Sequence, residues 1–480
     1  MSGIEWVLLL GYFAISLGVG WHAGRGNSSG DDFHLGGRST PWLAALISLV
    51  ATEISAATLL GAPEKGFEGS LFYVQLMLGS LVGRYIVAFY FVPAYYDAKV
   101  VTVYQFLETR LGPISRSLTS GLFLIGRLVA DGARLYLAAL TLQTLFGLTV
   151  LQAATGLVVI TAAYTLHGGI KAVIWTDVLQ GVVFAGSGAL ILAELLGGLF
   201  DIGLTPSTML AELQAQNKLD IFNPGNLQQA LTDPFSLPAA FLGGIVLTLA
   251  THGTDHDMIQ RVLTCKDRKE CAKSLLWSGW VSLSVGLVFL LVGTAFWLGS
   301  QHGLFQGEDN VSPLLTYLRR DASPAMRGIL TAAILAAAMS TLSSAFAAST
   351  ATLSNDLLPR TWTDTLAKNR LVMLALTFTV WSLTLGTDAY MRSNPGLDLL
   401  NLALSSLTLV YGALLAFFMT ALFSPARPSR HRCLLAALAG VATGVSLFID
   451  GRLAFEWLVV AGLIVSGAIL NLGTAREVPG

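Results

Sequence analysis

The stretch "AAAMSTLSSAFAAST" (residues 336–350) lies inside an apolar part of the chain, yet six of its fifteen residues carry hydroxyl groups. On a helix, residues three and four positions apart share a face, so Ser340, Ser343 and Ser344 project together, with Thr341 beside Ser344. Small hydroxyl residues also let membrane helices pack closely, which is the simpler explanation. Four hydroxyls within five residues, opposite a predicted helix break, instead suit a small hard cation and predict a sodium site.

The composition of the whole chain indicates an all-α integral membrane protein. Of its 480 residues, 54% are hydrophobic and only 12% are charged. Runs of about 18 or more apolar residues recur along its length, each long enough to cross a bilayer. The net charge of −1 gives no indication of nucleic-acid binding. The three cysteines lack C-x-x-C spacing and indicate neither a disulfide framework nor a zinc site.

The apolar runs predict about thirteen membrane-spanning helices. They fall at 4–22, 41–65, 70–95, 117–146, 150–166, 173–197, 236–252, 274–300, 324–354, 370–387, 398–423, 433–449 and 455–473. The first run has no basic segment before it and no cleavage site after it, so we expect a retained helix and not a signal peptide. Alternate loops hold 17 Lys and Arg residues against 6 in the others. This bias predicts a multi-pass protein of the inner (plasma) membrane with its N-terminus outside and its C-terminus cytoplasmic.

The order of the spans predicts an inverted repeat. We expect a leading helix with a cytoplasmic loop (1–40), a first five-helix unit (41–197), an extracellular loop (198–235), a second five-helix unit (236–423) and two trailing helices (424–480). Because five is odd, the two units enter the membrane from opposite sides, and the first helix of each is then often broken. Breaks are predicted in "ATEISAATLLGAP" (51–63) and in "SLPAAFLGGIVL" (236–247), which contains Pro238 and the pair Gly243–Gly244.

Five motifs together resemble the sodium/solute symporter family. They are "FHLGGRSTPWLAALISLVATEISAATLLGAP" (33–63), "TVYQFLETRLG" (102–112), "YTLHGGIKAVIWTDVLQ" (164–180), "GTDHDMIQRVLTCKDRKEC" (253–271) and "LAAAMSTLSSAFAASTATLSNDL" (335–357). The resemblance implies a LeuT-like fold, alternating access and Na+ as the co-transported ion. It also implies a sodium site made by the main-chain oxygens of Ala51, Ile54 and Ala337 and the hydroxyls of Ser340 and Thr341.

Some members of that family bind a second sodium ion. The matching positions here are Asp177, Ser343 and Ser344. The alternative is that Asp177 is a carboxylate at the membrane edge that caps a helix start.

The resemblance also places the solute at the midplane, beside the broken helices. The implied contacts are Glu53, Ser55 and Thr58, with Gln75 and Phe241 as candidates on neighbouring helices. Glu53 departs from the uncharged residue expected of many members. The sequence assigns no role to Arg84, another charge at membrane depth.

One predicted span contains Arg127, Asp131 and Arg134, and charges at this depth are usually paired or functional. An internal ion pair is the simpler interpretation. Two arginines beside one aspartate, however, leave one guanidinium without a partner. Members of the resembled family that carry sialic acid bind its carboxylate with an arginine in this helix. We therefore expect Arg134 to bind the solute, and the solute to be an organic anion such as sialic acid, a monocarboxylate or a vitamin.

Other functions remain as alternatives. The solute could be a neutral sugar or amino acid, or the chain could act as a transporter-like sensor with a separate signalling partner. "HGTDHD" (252–257) offers a His-x-x-x-His pair, but the resemblance makes it a loop after a helix and predicts no metal other than sodium. No nucleophile motif, phosphate loop or hydrolase signature is present, so we do not expect an enzyme. The expected partners are a small solute, sodium and the lipid bilayer.

Overall fold

The computed structural model describes residues 2–25, 29–54, 56–308, 311–362, 365–394 and 407–472. Within these ranges the secondary structure is helical, and the one β-type pairing is an isolated bridge between Thr40 and Cys265. The helices, in chain order, are α1 Gly3–Ala23, α2 Gly30–Leu35, α3 Trp42–Glu53, α4 Ala56–Glu68, α5 Tyr73–Ile86, α6 Val92–Asp97, α7 Val103–Leu111, α8 Pro113–Phe146, α9 Val150–Asp201, α10 Pro206–Ala215, α11 Leu227–Thr232, α12 Gly243–Gly253, α13 His256–Leu263, α14 Arg268–Gln301, α15 Pro313–Arg320, α16 Pro324–Thr352, α17 Leu366–Ser393, α18 Thr408–Phe423, α19 Arg430–Asp450 and α20 Phe455–Asn471.

Several of these helices are long and apolar enough to cross a membrane. In the described residues, 7 helices are long and apolar enough to cross a membrane. The number of candidate spans is 8 if the bent pair formed by α3 and α4 is counted as one span. Shorter apolar helices cover Pro238–Gly253, Thr408–Phe423 and Phe455–Asn471. The all-helical membrane fold is thus confirmed, whereas the count of about thirteen spans stays a prediction. The span predicted at 398–423 begins outside the described residues.

The first predicted helix break is present between α3 and α4. The α3 helix ends at Glu53, and Ile54 has an extended backbone with φ −92° and ψ 99°. The two helices meet at an angle of 65°. Since the last four carbonyls of a helix have no partner within it, the end of α3 offers main-chain oxygens to whatever lies beside it.

The second predicted break is wrong as placed, because Pro238–Leu242 forms a π-helical turn that continues directly into α12. Gly243 is helical, with φ −61° and ψ −40°, and the chain runs on through α12 to Gly253. A side chain at Gly243 would overlap Glu456 on α20, and a Cβ at Gly244 would come 2.6 Å from the carbonyl oxygen of Leu76 on α5. The two glycines therefore serve close packing, and the interruption comes later, between α12 and α13.

Two predicted spans, 150–166 and 173–197, belong to one long helical run, α9, which is kinked at Gly169. This residue has φ 54° and ψ −145°, a conformation open to glycine and strained for other residues. A Cβ here would also overlap the carbonyl oxygen of Phe33 in α2. The glycine pair of the "HGGIK" segment thus provides a kink against which α2 packs.

The α4 and α14 helices touch through their backbones. A Cβ at Gly293 would overlap the carbonyl oxygen of Pro63, and a Cβ at Gly66 would overlap that of Leu290. No side chain fits between the two helices at these points.

The hydroxyl-rich helix α16 lies at the centre of the fold. It packs against α1, α8, α9 and α17, and every residue from Leu330 to Thr352 is buried. Its hydroxyl groups therefore face protein and not lipid.

Candidate functional site

The end of α3 and the middle of α16 are in direct contact. The hydroxyls of Thr52 and Ser344 lie 3.1 Å apart, and both residues are buried. The free carbonyls at the end of α3 thus lie beside the hydroxyl cluster. This is the juxtaposition that the sequence predicted.

The five residues predicted to bind sodium lie on these two elements. Ala51 and Ile54 are at the end of α3, and Ala337, Ser340 and Thr341 are on α16; all are buried. The Thr341 hydroxyl donates to the Ala337 carbonyl at 3.0 Å. The donor set consists of oxygen atoms, as a hard cation requires. Their role as sodium ligands stays a prediction.

Asp177, on the second half of α9, accepts hydrogen bonds from both of these elements. Ser340 Oγ donates to its Oδ1 at 2.6 Å, and Ser48 Oγ, on α3, donates to its Oδ2 at 2.5 Å. Arg261 Nη2, on α13, lies 3.5 Å from Oδ2. The Asp177 carboxylate is fully buried, and it joins α3, α13 and α16. This burial among three helices does not fit the alternative of a carboxylate at the membrane edge that caps a helix start.

Arg127 is held by carboxylates from two helices. Its Nε donates to Asp131 Oδ2 at 3.0 Å, which confirms the predicted ion pair within α8. Its Nη1 lies 3.4 Å from Asp255 Oδ2, and its Nη2 makes an ionic contact of 2.5 Å with Asp257 Oδ2 that lacks hydrogen-bond geometry. The prediction of two arginines facing a single aspartate is therefore wrong, because Asp255 and Asp257 supply two further negative charges.

Arg134 has a different environment from Arg127. Its Nη1 lies 3.9 Å from Asp131 Oδ1, beyond hydrogen-bond length, and its side chain is 24% exposed. Arg127, by contrast, is 2% exposed. Arg134 is consequently the guanidinium of this group that reaches accessible space.

Glu53 and Arg84, which the sequence left unexplained, form an ion pair. Arg84 donates to Glu53 Oε2, which also accepts from Ser282 at 2.6 Å. Arg84 Nη2 also lies 3.0 Å from His252 Nε2, and Thr251 Oγ1 lies 2.9 Å from His252 Nδ1. His252 is thus taken up in this polar group, and within the described part of the chain no group of three or more His, Cys, Asp or Glu side chains could hold a metal ion.

A cavity of about 240 Å³ lies beside the helix break. Its lining includes the predicted contacts Glu53, Thr58 and Arg134. Helices α3, α4, α5, α8, α12 and α14 all contribute residues to it.

The cavity lining does not include Gln75 or Phe241. The Gln75 side chain donates to the carbonyls of Phe72 and Phe235 and accepts from the main-chain N–H of Asn223. It therefore holds the loop that contains Asn223 and Phe235 against α5. Phe241 packs its main chain against Gly79. Ser55, also predicted, lies outside the described residues.

The residues that sequence reasoning missed are Arg261, Asp255 and Asp257. All three lie in "GTDHDMIQR" (253–261), a motif whose charged residues the sequence alone leaves without a role. Two aspartates just after an apolar helix, with an arginine one turn beyond, are a usable signal, because charges at membrane depth are costly unless they are paired.

The fold and the site together define a class of protein. A broken helix faces a buried helix rich in hydroxyls, and a polar cavity lies beside them, as in carriers that bind an ion and a solute between helices. The profile of the sodium:solute symporter family matches residues 33–427. The chain belongs to this family, whose co-transported ion is sodium.

Individual relatives agree with this assignment. The chain is 27% identical over 464 residues to the sodium/iodide cotransporter of Homo sapiens, covering 93% of this chain and 68% of that protein. It is 25% identical over 367 residues to the sodium/sialic acid symporter SiaT of Proteus mirabilis, covering 74% and 71%. Both relatives are sodium-coupled carriers.

Among solved structures, the fold is similar to that of a Na+-coupled sialic acid symporter in a substrate-bound outward-open state. The TM-score is 0.86 at 20% sequence identity, over 98% of this chain and 97% of that chain. At this identity the similarity establishes the LeuT-like fold.

Proposed function

We propose that this protein imports a small organic anion together with sodium, by alternating access, and that the anion binds in the cavity beside the break between α3 and α4. The observation that supports the anion is the position of Arg134. It lines the cavity, it is partly exposed, and its nearest carboxylate lies 3.9 Å away. A carboxylate on the solute would complete the planar fork of this guanidinium.

The size of the cavity fits a small solute, and several of the similar proteins carry anions. About 240 Å³ suits a small molecule and lies just below the usual range of roughly 300 to 1,000 Å³ for ligand pockets. The similar proteins include carriers of iodide and of sialic acid, both of which are anions. We therefore expect a carboxylate, with a monocarboxylate, a sialic acid or a vitamin as the first compounds to test.

We propose that sodium binds at the end of α3, through the carbonyls of Ala51, Ile54 and Ala337 and the hydroxyls of Ser340 and Thr341. The Ser340 hydroxyl donates its proton to Asp177, so its lone pairs are directed elsewhere and are available to a cation. Asp177 itself supplies a negative charge one hydrogen bond away, without entering the first coordination sphere.

A neutral solute is the second candidate, and one observation favours it. Among the described residues, the charge cluster around α8, α9 and α13 contains four carboxylates and three guanidiniums, those of Asp131, Asp177, Asp255, Asp257, Arg127, Arg134 and Arg261. The carboxylates outnumber the guanidiniums, so the charge of Arg134 is compensated by the protein. A solute without net charge, such as a sugar or a zwitterionic amino acid, could then bind beside Arg134.

The membrane topology is also part of the proposal. The Lys and Arg bias supports an N-terminus outside and a C-terminus in the cytoplasm of an inner (plasma) membrane protein. The division into five-helix units at 41–197 and 236–423, with one leading and two trailing helices, is supported by the LeuT-like fold.

Uptake into proteoliposomes tests the proposed function. The purified protein is reconstituted, an inward sodium gradient is applied, and a panel of labelled carboxylates, sugars and amino acids is offered. We expect concentrative uptake of a carboxylate that requires sodium. Equal uptake with a potassium or choline gradient would contradict sodium coupling, and selective uptake of sugars or neutral amides would favour the second candidate.

A further inference from the structure

The guanidinium of Arg261 lies where the sequence predicts a second sodium ion. The residues expected to hold that ion are Asp177, Ser343 and Ser344. Arg261 Nη2 donates to Ser344 Oγ and lies 3.5 Å from Asp177 Oδ2. Its side chain is fully buried.

The other donors of Arg261 fix it in this position. Nε donates to Ser48 Oγ at 2.7 Å, and Nη1 lies 3.1 Å from Asp257 Oδ1. The guanidinium is therefore bound to α3, α9 and α16 at once, and to its own helix through Asp257. These contacts hold the Arg261 guanidinium in one position within the site.

Two of the oxygen atoms that a second sodium ion would need, Asp177 Oδ2 and Ser344 Oγ, already accept from Arg261. Both oxygens of Asp177 accept hydroxyl protons, from Ser340 and from Ser48. The hydroxyls of Ser343 and Ser344 both donate to the Ser340 carbonyl, at 3.1 Å and 2.5 Å. Ser344 in addition accepts from Arg261. A guanidinium offers donors and no acceptor, so it takes up the same lone pairs that an ion would need.

We propose that Arg261 is the permanent cation of this second site, so that the protein binds one sodium ion, at the first site alone. The two cations exclude each other, because both require the Asp177 carboxylate and the Ser344 oxygen and their positive charges repel. The inference rests on the first sodium site proposed above and is independent of which solute is carried.

Asp177 and Arg261 are then positioning residues for the first site. Arg261 holds the Asp177 carboxylate, Asp177 accepts the proton of Ser340, and the lone pairs of Ser340 are turned towards the first sodium. Loss of the Asp177 charge should weaken sodium binding without changing the number of ions bound.

Binding of radioactive sodium to the purified full-length protein tests this inference, and it needs no knowledge of the solute. We expect the wild type to bind one sodium per protein with a Hill coefficient of one. The Arg261→Ala variant removes the internal cation and leaves Asp177 and Ser344 open, so it should bind two. Arg261→Lys restores a positive charge and should return the count to one. Arg392→Ala, at an exposed arginine paired with Asp388, is the matched control and should bind one.

The outcomes separate this inference from the proposed function. Two ions in the wild type, or one ion in a folded Arg261→Ala protein, would overturn the inference and leave sodium symport standing. No sodium binding by the wild type would overturn both.

If Arg261→Ala does not yield monodisperse protein, the Asp177→Asn variant tests the inference instead. It should still bind one sodium, with an affinity roughly tenfold weaker because the partner of Ser340 loses its charge. An unchanged sodium affinity in this variant would contradict the positioning role and overturn the inference.

Discussion

Arg84, on α5, donates to the carboxylate of Glu53, the last residue of α3, and Ser282 on α14 donates to the same oxygen. This places a buried guanidinium and a half-buried carboxylate at the helix break, where both line the cavity. The pair explains why a charged residue is tolerated at position 53. It also ties three helices together at the wall of the cavity.

Breaking this pair from one side should destabilise the protein. Glu53→Gln or Arg84→Met leaves one charge without its partner, which costs about 2 to 3 kcal/mol for a hydrogen bond to a charged group. The apparent Tm of the detergent-purified protein should fall by several degrees in each single variant. The double variant removes both charges, so its loss should be smaller than the sum of the two. Additive losses would show that the two residues act independently.

The hydroxyls of the proposed first sodium site should set the sodium affinity. Ser340→Ala and Thr341→Ala each remove one oxygen ligand, and we expect the apparent dissociation constant for sodium to rise roughly tenfold or more. Ser349→Ala is the matched control, since Ser349 is buried on the same helix and its hydroxyl has no hydrogen-bond partner in the described residues. Sodium titration of the purified proteins measures this. An unchanged sodium affinity in both Ser340→Ala and Thr341→Ala would mean that these hydroxyls serve helix packing and do not bind sodium.

Arg134 should select the charge of the solute. Arg134→Lys keeps the positive charge but loses the planar fork, so carboxylate uptake should weaken by about 10- to 100-fold in kcat/KM. Sodium binding should stay largely intact. Arg392→Lys, at an exposed ion pair with Asp388, should leave uptake unchanged and serves as the control. Full uptake by the Arg134→Lys protein would favour a neutral solute.

The kink of α9 should tolerate no side chain. Gly169→Ala combines a positive φ with an overlap on the Phe33 carbonyl, and we expect a loss of about 1 to 3 kcal/mol from backbone strain alone. Gly186→Ala, on the same helix with nothing within 4 Å of the added Cβ, should be nearly neutral. The apparent Tm and the monodisperse yield of the two variants measure the difference. Equal behaviour would mean that α9 can straighten or shift at Gly169.

Sequence reasoning was accurate where a pattern is local. Apolar runs predicted the helices, the spacing of Arg127 and Asp131 predicted their ion pair, and the polar interruption after Ala51 predicted the first helix break. Each of these depends on residues within a few turns of one another. The hydroxyl face of α16 was visible for the same reason.

The contacts that complete the site could not be read in this way. Arg261 meets Asp177 across 84 positions of sequence, and Arg127 meets Asp255 across 128. Such pairs arise from the packing of whole helices, which periodicity does not report. The pair Gly243–Gly244 shows the converse error, because glycine marks either a break or a close approach, and only the neighbouring helix decides between them.

The backbone contact between α4 and α14 limits how the carrier can change shape. Side chains at a helix interface can change rotamer and let two helices slide, but at Gly66 and Gly293 there is none to adjust. We expect α4 and α14 to move together as one rigid body when the cavity opens to either side of the membrane. The bend between α3 and α4 is then where the change of shape must occur, so the carbonyls of Ala51 and Ile54, proposed to hold sodium, lie at the hinge of the transport cycle.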